Sequence, residues 1–114
     1  MLAVIFEVWP HEAHRESYLK LAANMKRYLE DFDGFISVER FESLTEPGKL
    51  LSVSFWRDEA ALDNWRKLEE HRAMQKKGRE SLFRDYHLRI ASVIRDYTLE
   101  RREEAPEDSK ALHG

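Results

Sequence analysis

His71 is the residue best suited to proton chemistry in this chain. An imidazole titrates near neutrality, so it can take a proton from a ligand as a general base. The same side chain can instead orient a ligand by a hydrogen bond, or simply pack between a helix and a strand. Trp65 lies six residues earlier and offers a flat stacking wall, although tryptophan at helical spacing from Leu62 would also pack in an inert core. Large aromatics beside one polar handle suit a flat organic ligand. Met74 follows His71 at i+3 on one helical stripe, and Trp56 shares a strand parity with Ser52 and Ser54. Both join Trp65 as candidate substrate-binding residues, with Trp56 facing either a pocket or a partner. Arg89 and Tyr86 are the candidate stabilisers of a developing anion, by charge and by a phenolic hydrogen bond. The plainer role for Arg89 is an ion pair with Glu7, Glu39 or Asp96.

Other chemistries lack their residues. The sequence has no cysteine, which removes disulfides, zinc–thiolate sites, iron–sulfur clusters and thiol nucleophiles. His11 and His14 are three apart with Glu7 nearby, but no third ligand is evident, so no metal is expected. There is no glycine-rich phosphate loop, Walker lysine or nucleophile elbow. Asp58-Glu59 reads as helix capping rather than as a catalytic carboxylate pair.

Composition bounds the partners. The chain has 114 residues, 42% hydrophobic and 36% charged, with a net charge of −3. That describes one globular domain with a solvated surface, large enough for one core but hardly for a deep, closed pocket of its own. The charges are interspersed, and no basic field is available for nucleic acid. No run approaches the ~18 apolar residues of a membrane span. The apolar start is broken by Glu7 and reads as a strand rather than a signal peptide, so a cytoplasmic protein is expected.

The elements that must position these residues follow from periodicity. Residues 2–9 are a largely buried first strand ended by Pro10. Over 12–32, Tyr18, Leu21, Ala22, Met25, Leu29 and Phe32 form one helical face, stopped at Asp33-Gly34 with Gly34 as a left-handed cap. Residues 35–43 and 49–57 are a hairpin around Thr45-Glu46-Pro47-Gly48. A helix capped by Asp58 carries Leu62 and Trp65, and a second helical pattern runs from about Glu69 to Arg84; one bent helix and two helices both fit. The last strand spans 86–98. The order is β-α-β-β-α-β, the ferredoxin-like α+β arrangement of an antiparallel sheet with helices on one face. Residues 1–99 make the domain; residues 100–114, with eight of fifteen charged, read as a disordered or loosely attached tail.

The first and last strands carry apolar residues on both parities, such as Val4 with Ile5 and Leu88 with Val93. A sheet apolar on both faces usually buries both, and in so small a domain the second cover is another copy. A homodimer joined through the sheets is expected, with the long last strand reaching toward the partner.

Asp33-Gly34-Phe35, Pro47-Gly48 and Phe55-Trp56-Arg57-Asp58-Glu59-Ala60, in this order of elements, resemble the antibiotic biosynthesis monooxygenase family over about residues 2–98. Glu70-His71-Arg72, Gln75, Gly78-Arg79, Phe83, Asp85-Tyr86 and Arg95-Asp96-Tyr97 look like one bacterial branch of it. The resemblance implies a dimeric α/β barrel with a pocket between sheet and helices in each protomer. It implies oxygenation of aromatic polyketides or quinols by O₂ with no metal, flavin or other cofactor. Trp65 and His71 match a tryptophan and a polar aromatic in the polyketide-oxygenating relatives. The asparagine those relatives carry one turn earlier matches Ala61, which cannot hydrogen-bond a substrate oxygen. A haem-degrading branch places an asparagine on the first strand and its axial histidine where Met74 and Gln75 stand here, so haem degradation is disfavoured. The expected function is therefore monooxygenation of a small aromatic molecule, the alternative a dimeric binding module without catalysis, and the weakest a haem protein.

Overall fold

The elements are β1 (Leu2–Pro10), α1 (Arg15–Leu29), β2 (Phe35–Glu42), β3 (Leu50–Trp56), α2 (Glu59–His71) and β4 (Phe83–Ser92). The computed structural model describes residues 1–71 and 82–108, with the side chains of 69–71 outside the description. The strands form one antiparallel sheet in the order β2-β3-β1-β4, the ferredoxin-like α+β fold. β1 is an interior strand, paired with β3 on one side and β4 on the other, as its near-continuous apolar run requires.

The register draws the rows on which the rest of the molecule is built. Arg40 pairs with Ser52, Ser52 with Phe6 and Phe6 with Leu88, one row across all four strands. The next row on the same face is Val38, Ser54, Val4 and Ile90. Both helices lie on this face. Leu29 of α1 and Ala61, Leu62 and Trp65 of α2 pack with Trp56 in one core cluster. Tyr18 of α1 packs with Val8, Leu50 and Leu82 in a second. The opposite face presents Ile5, Leu51, Val53 and Phe55 by alternation and carries neither helix.

Three boundaries differ from the sequence expectation. The first helix opens with a 3-10 turn at Glu12–His14 and closes at Leu29, three residues early, where the Phe32 N–H bonds back to the Leu29 carbonyl. Gly34 is left-handed, at φ +87°, but serves the tight turn into β2 rather than the helix cap. The last strand spans Phe83–Ser92 instead of 86–98. Its length is set by its partner: Phe83 pairs with Pro10 and Ser92 with Leu2, so β1 offers nothing beyond either end. After a final Val93 N–H to Met1 carbonyl bond, the chain leaves the sheet. Residues beyond it hold local structure: Thr98 and Arg101 close a turn, the Asp96 N–H reaches Glu104, Arg102 stacks on Tyr97, and Ala105 is only 5% exposed.

One corner fixes α2 to the sheet. Arg57 binds both oxygens of Asp33 at 3.0 and 3.2 Å, and its Nε donates to Asp58 at 3.1 Å. Asp58 caps α2 by accepting from the Ala61 N–H at 2.9 Å, and this bond, followed by Arg57, holds its carboxyl below the usual range. The Gly34 carbonyl accepts from the Arg57 N–H at 2.8 Å. A Cβ on Gly34 would stand 2.3 Å from the Ala61 Cβ. Gly34→Ala therefore combines a left-handed alanine with a clash against α2, and should cost about 2–4 kcal/mol in urea unfolding. A loss below about 1 kcal/mol would show that the corner yields freely.

On the helix-free face, Glu7 accepts from Lys49 at 2.5 Å and from Arg89, with His87 3.9 Å away. Hydrogen bonds from Lys49 and Arg89 hold its carboxyl down to about 2, from an ordinary 4.5. A carboxylate depressed in the folded state stabilises fully above its unfolded value and loses that contribution as pH falls through its folded one. Stability should therefore drop between about pH 4.5 and 2, and Glu7→Gln should flatten that acid limb. An unchanged limb in urea midpoints measured against pH would contradict this role.

Candidate functional site

Between the two core clusters the sheet face does not meet the helices. A cavity of about 370 Å³ remains there. Its floor is the pair of cross-strand rows, with Arg40, Ser52, Phe6 and Leu88 in one and Val38, Val4 and Ile90 in the other. Its roof is Tyr18, Leu21, Ala22, Met25 and Leu29 of α1 with Leu62, Trp65 and Arg66 of α2. The predicted stripe on the first helix thus divides its work, packing the core at each end and roofing the cavity between.

The walls are mostly aromatic at the β1–β4 side. Phe6 lies 5.8 Å from Phe83 and 5.7 Å from Tyr86, and Tyr18 meets Phe83 edge-on at 5.3 Å. Tyr86, Leu88 and Ile90 line the cavity yet stay 41%, 41% and 44% exposed. The mouth therefore runs along β4, one of the two edge strands.

At the other end stands a cation. Arg40 enters from β2 beneath the Tyr18 phenol, and its Nε is buried without a hydrogen-bond partner. Burial pushes the Tyr18 phenol above its ordinary value, against the opposing charge of Arg40, so it stays protonated through the neutral range. Arg66 supplies a second cation from α2, with Asp63 4.0 Å away one turn earlier. Among the described residues no aspartate or glutamate lines the cavity. The lining can therefore stack a flat molecule, donate hydrogen bonds and meet negative charge. Within that lining, nothing described titrates near neutrality as a base.

The sequence candidates are distributed unevenly around this site. Trp65 and Tyr86 line the cavity from opposite layers. Trp56 lies behind Trp65 at a ring distance of 6.3 Å, 2% exposed, wedged among Phe32 and Phe35, with its indole N–H donating to Ser54 at 2.9 Å. It supports the wall rather than forming it. Arg89 points to the other face of the sheet, where it binds Glu7. Strand alternation separates it from Tyr86, Leu88 and Ile90, so the structure does not bring it to the cavity. His71 is the last residue of α2 and its side chain lies outside the described residues, as does Met74 altogether. His11 and His14 stand 6.2 Å apart ring to ring, and no group of three or more metal-binding side chains gathers among the described residues.

Sequence reasoning missed Arg40, Ser52 and Tyr18. A signal existed at Arg40, a charge on the parity of Val38, the helix-facing parity of β2. Its significance depends on knowing that Ser52, rather than a carboxylate, lies across from it.

Comparison with known proteins agrees with this architecture. Residues 1–77 match the family model described as antibiotic biosynthesis monooxygenase. A jasmonate monooxygenase of Pyricularia oryzae is 45% identical over 93 residues, 82% of this chain and 43% of that protein. The chain thus spans less than half the length of this relative. The uncharacterised protein YqjZ of Bacillus subtilis is 33% identical over 93 residues, covering 82% and 79% of the two chains. The structure of Rv0793 from Mycobacterium tuberculosis superposes with a TM-score of 0.74 at 23% identity, covering 85% of this chain and 98% of that one, a likeness of fold. The family match, the relatives' identity over most of this chain and the shared sheet architecture lead to one conclusion: the chain belongs to the antibiotic biosynthesis monooxygenase family.

Proposed function

We propose that this chain is a monooxygenase that oxidises a small, largely apolar ring compound of quinol or anthrone type with O₂, without metal or flavin. The observation that carries the reading is the 370 Å³ cavity walled by Trp65, Phe6, Phe83 and Tyr86 in a member of this family. Its size suits a molecule of two or three rings. The Pyricularia oryzae relative, named for jasmonate, supports a small-molecule substrate in general. In such a reaction the substrate is its own reductant. Loss of a proton leaves an electron-rich anion that reduces O₂. One oxygen atom ends as the new carbonyl and the other leaves as water, its two hydrogens coming from the methylene carbon of an anthrone, or from one ring carbon and one hydroxyl of a phenolic ring that becomes a quinone. The protein need only exclude bulk water, take the proton and stabilise the anion. In this reading Trp65 is the stacking wall, Tyr86 a hydrogen-bond donor at the mouth, and His71 the base.

The absence of a base near neutrality among the described lining residues favours one second reading, a binding module without turnover. An oxygen electrode separates the two. With anthrone or a naphthoquinol, the protein should consume O₂ above the spontaneous rate, and His71→Ala should lower kcat by about 100- to 10,000-fold while the fold survives. Saturable binding with no O₂ uptake would establish the binding module. Uptake unaffected by His71→Ala would move the base elsewhere.

We also infer a homodimer joined through the helix-free face of the sheet. Ile5, Leu51, Val53 and Phe55 give that face an apolar centre, flanked by the Glu7–Lys49–Arg89 cluster. Sheet-to-sheet burial of such a face is the ordinary way to remove it from water. Light scattering at micromolar concentration should give twice the 13.6 kDa chain mass, and Val53→Asp should shift it toward one chain. A 13.6 kDa particle for the unaltered protein would refute the dimer.

A further inference from the structure

Among the described residues of the cavity, Arg40 is the group that the fold itself does not explain. A guanidinium brought under a helix loses hydration, which is costly unless a carboxylate or a full set of acceptors replaces the water. Arg40 forms no ion pair within 4.0 Å among the described residues, whereas Arg15, Arg57, Arg66 and Arg89 each do. Its neighbours are a phenol that stays neutral and hydrogen-bonds it, Tyr18, and a hydroxyl across the strand, Ser52; neither carries a compensating charge. Its Nε is sealed from solvent with no acceptor. The charge is therefore poorly used by the apo fold and well placed for an incoming anion.

We propose that the cavity binds a small apolar carboxylate, with the carboxylate seated on Arg40 and its ring against Phe6 and Trp65. A planar guanidinium matches a carboxylate in two parallel hydrogen bonds, and Tyr18 can add a third from its hydroxyl. Arg66 adds positive potential from the roof, and no acidic side chain among the described lining residues opposes it. The row geometry sets the length. Arg40 on β2 and Phe6 on β1 are two strand spacings apart, about 10 Å, which suits one carboxymethyl group on a two-ring system. This inference rests on the proposed function for the location of the substrate site, and deepens it by giving the substrate an acidic group at the end away from the mouth.

Binding can be tested without turnover. The probes are 1-naphthylacetate and its neutral isostere 1-naphthylacetamide, titrated calorimetrically into the full chain at pH 7. The unaltered protein should bind the carboxylate at least tenfold more tightly. Arg40→Gln should abolish that preference and leave the amide affinity within a factor of about two. Its thermal midpoint should not fall, because no internal ion pair is lost. If Arg40→Gln fails to fold, Arg40→Lys keeps the charge but not the planar fork, and the preference should shrink to a few-fold. Equal affinities for the two probes, a preference that survives Arg40→Gln, a preference undiminished in Arg40→Lys, or no binding of either probe would each overturn the proposal. Absence of O₂ uptake would overturn only the monooxygenase reading, since carboxylate preference needs no oxygen.

Discussion

The molecule depends on one mismatch in the sheet face beneath the helices. Both ends of that face are apolar: Trp56 and Val4 toward one end, Val8 and Leu50 toward the other. Its middle row carries Arg40 and Ser52, polar groups that an apolar helix side chain would strand away from water; of the helix residues only the Tyr18 phenol, among those described, meets Arg40 with a polar group. The helices therefore seal the ends and leave the centre open. Two core clusters form where a domain of this size would ordinarily have one, and the space between them is the cavity. Stability and a binding site come from the same face by dividing it along the strands.

The placement of Trp65 follows from a second constraint some distance away. Asp33, Gly34, Arg57 and Asp58 tie the turn before β2 to the start of α2 through paired hydrogen bonds and a close backbone approach. That corner sets where α2 begins, and Phe32 and Trp56 then hold the Trp65 ring edge-on or tilted against the core. The motifs that carry the family resemblance are thus chiefly architectural. They position a wall, and they leave the chemistry of the opposite wall to residues such as Arg40, Tyr18 and Ser52.

Polarity in this sheet is sorted by face. Glu7, Lys49 and Arg89 satisfy one another on the helix-free side, with His87 near Glu7, while Arg40 on the helix side has no acid within 4.0 Å among the described residues. Two arginines on the two edge strands, pointing to opposite faces of the sheet, therefore have opposite functions open to them. Arg89 is neutralised by a partner on its own face, and Arg40 keeps a capacity for a ligand.

The sequence by itself determined the order of elements, the hairpin, the stripe of α1 and the Asp58 cap. These are local: apolar period, turn residues and capping side chains act within a few residues of one another. Trp65 as a cavity residue was legible for the same reason, since it lies on the buried period of its helix, and Tyr86 by its strand parity with Leu88 and Ile90. The tertiary structure alone decided where β4 starts and stops, because its length belongs to β1. It also decided that Arg89 meets Glu7 and that Arg40 meets Ser52 and Tyr18. Strand register couples residues tens of positions apart, and a shift of one residue exchanges the two faces. Which arginine is spent on the fold and which remains free is a property of that register, and no local pattern contains it.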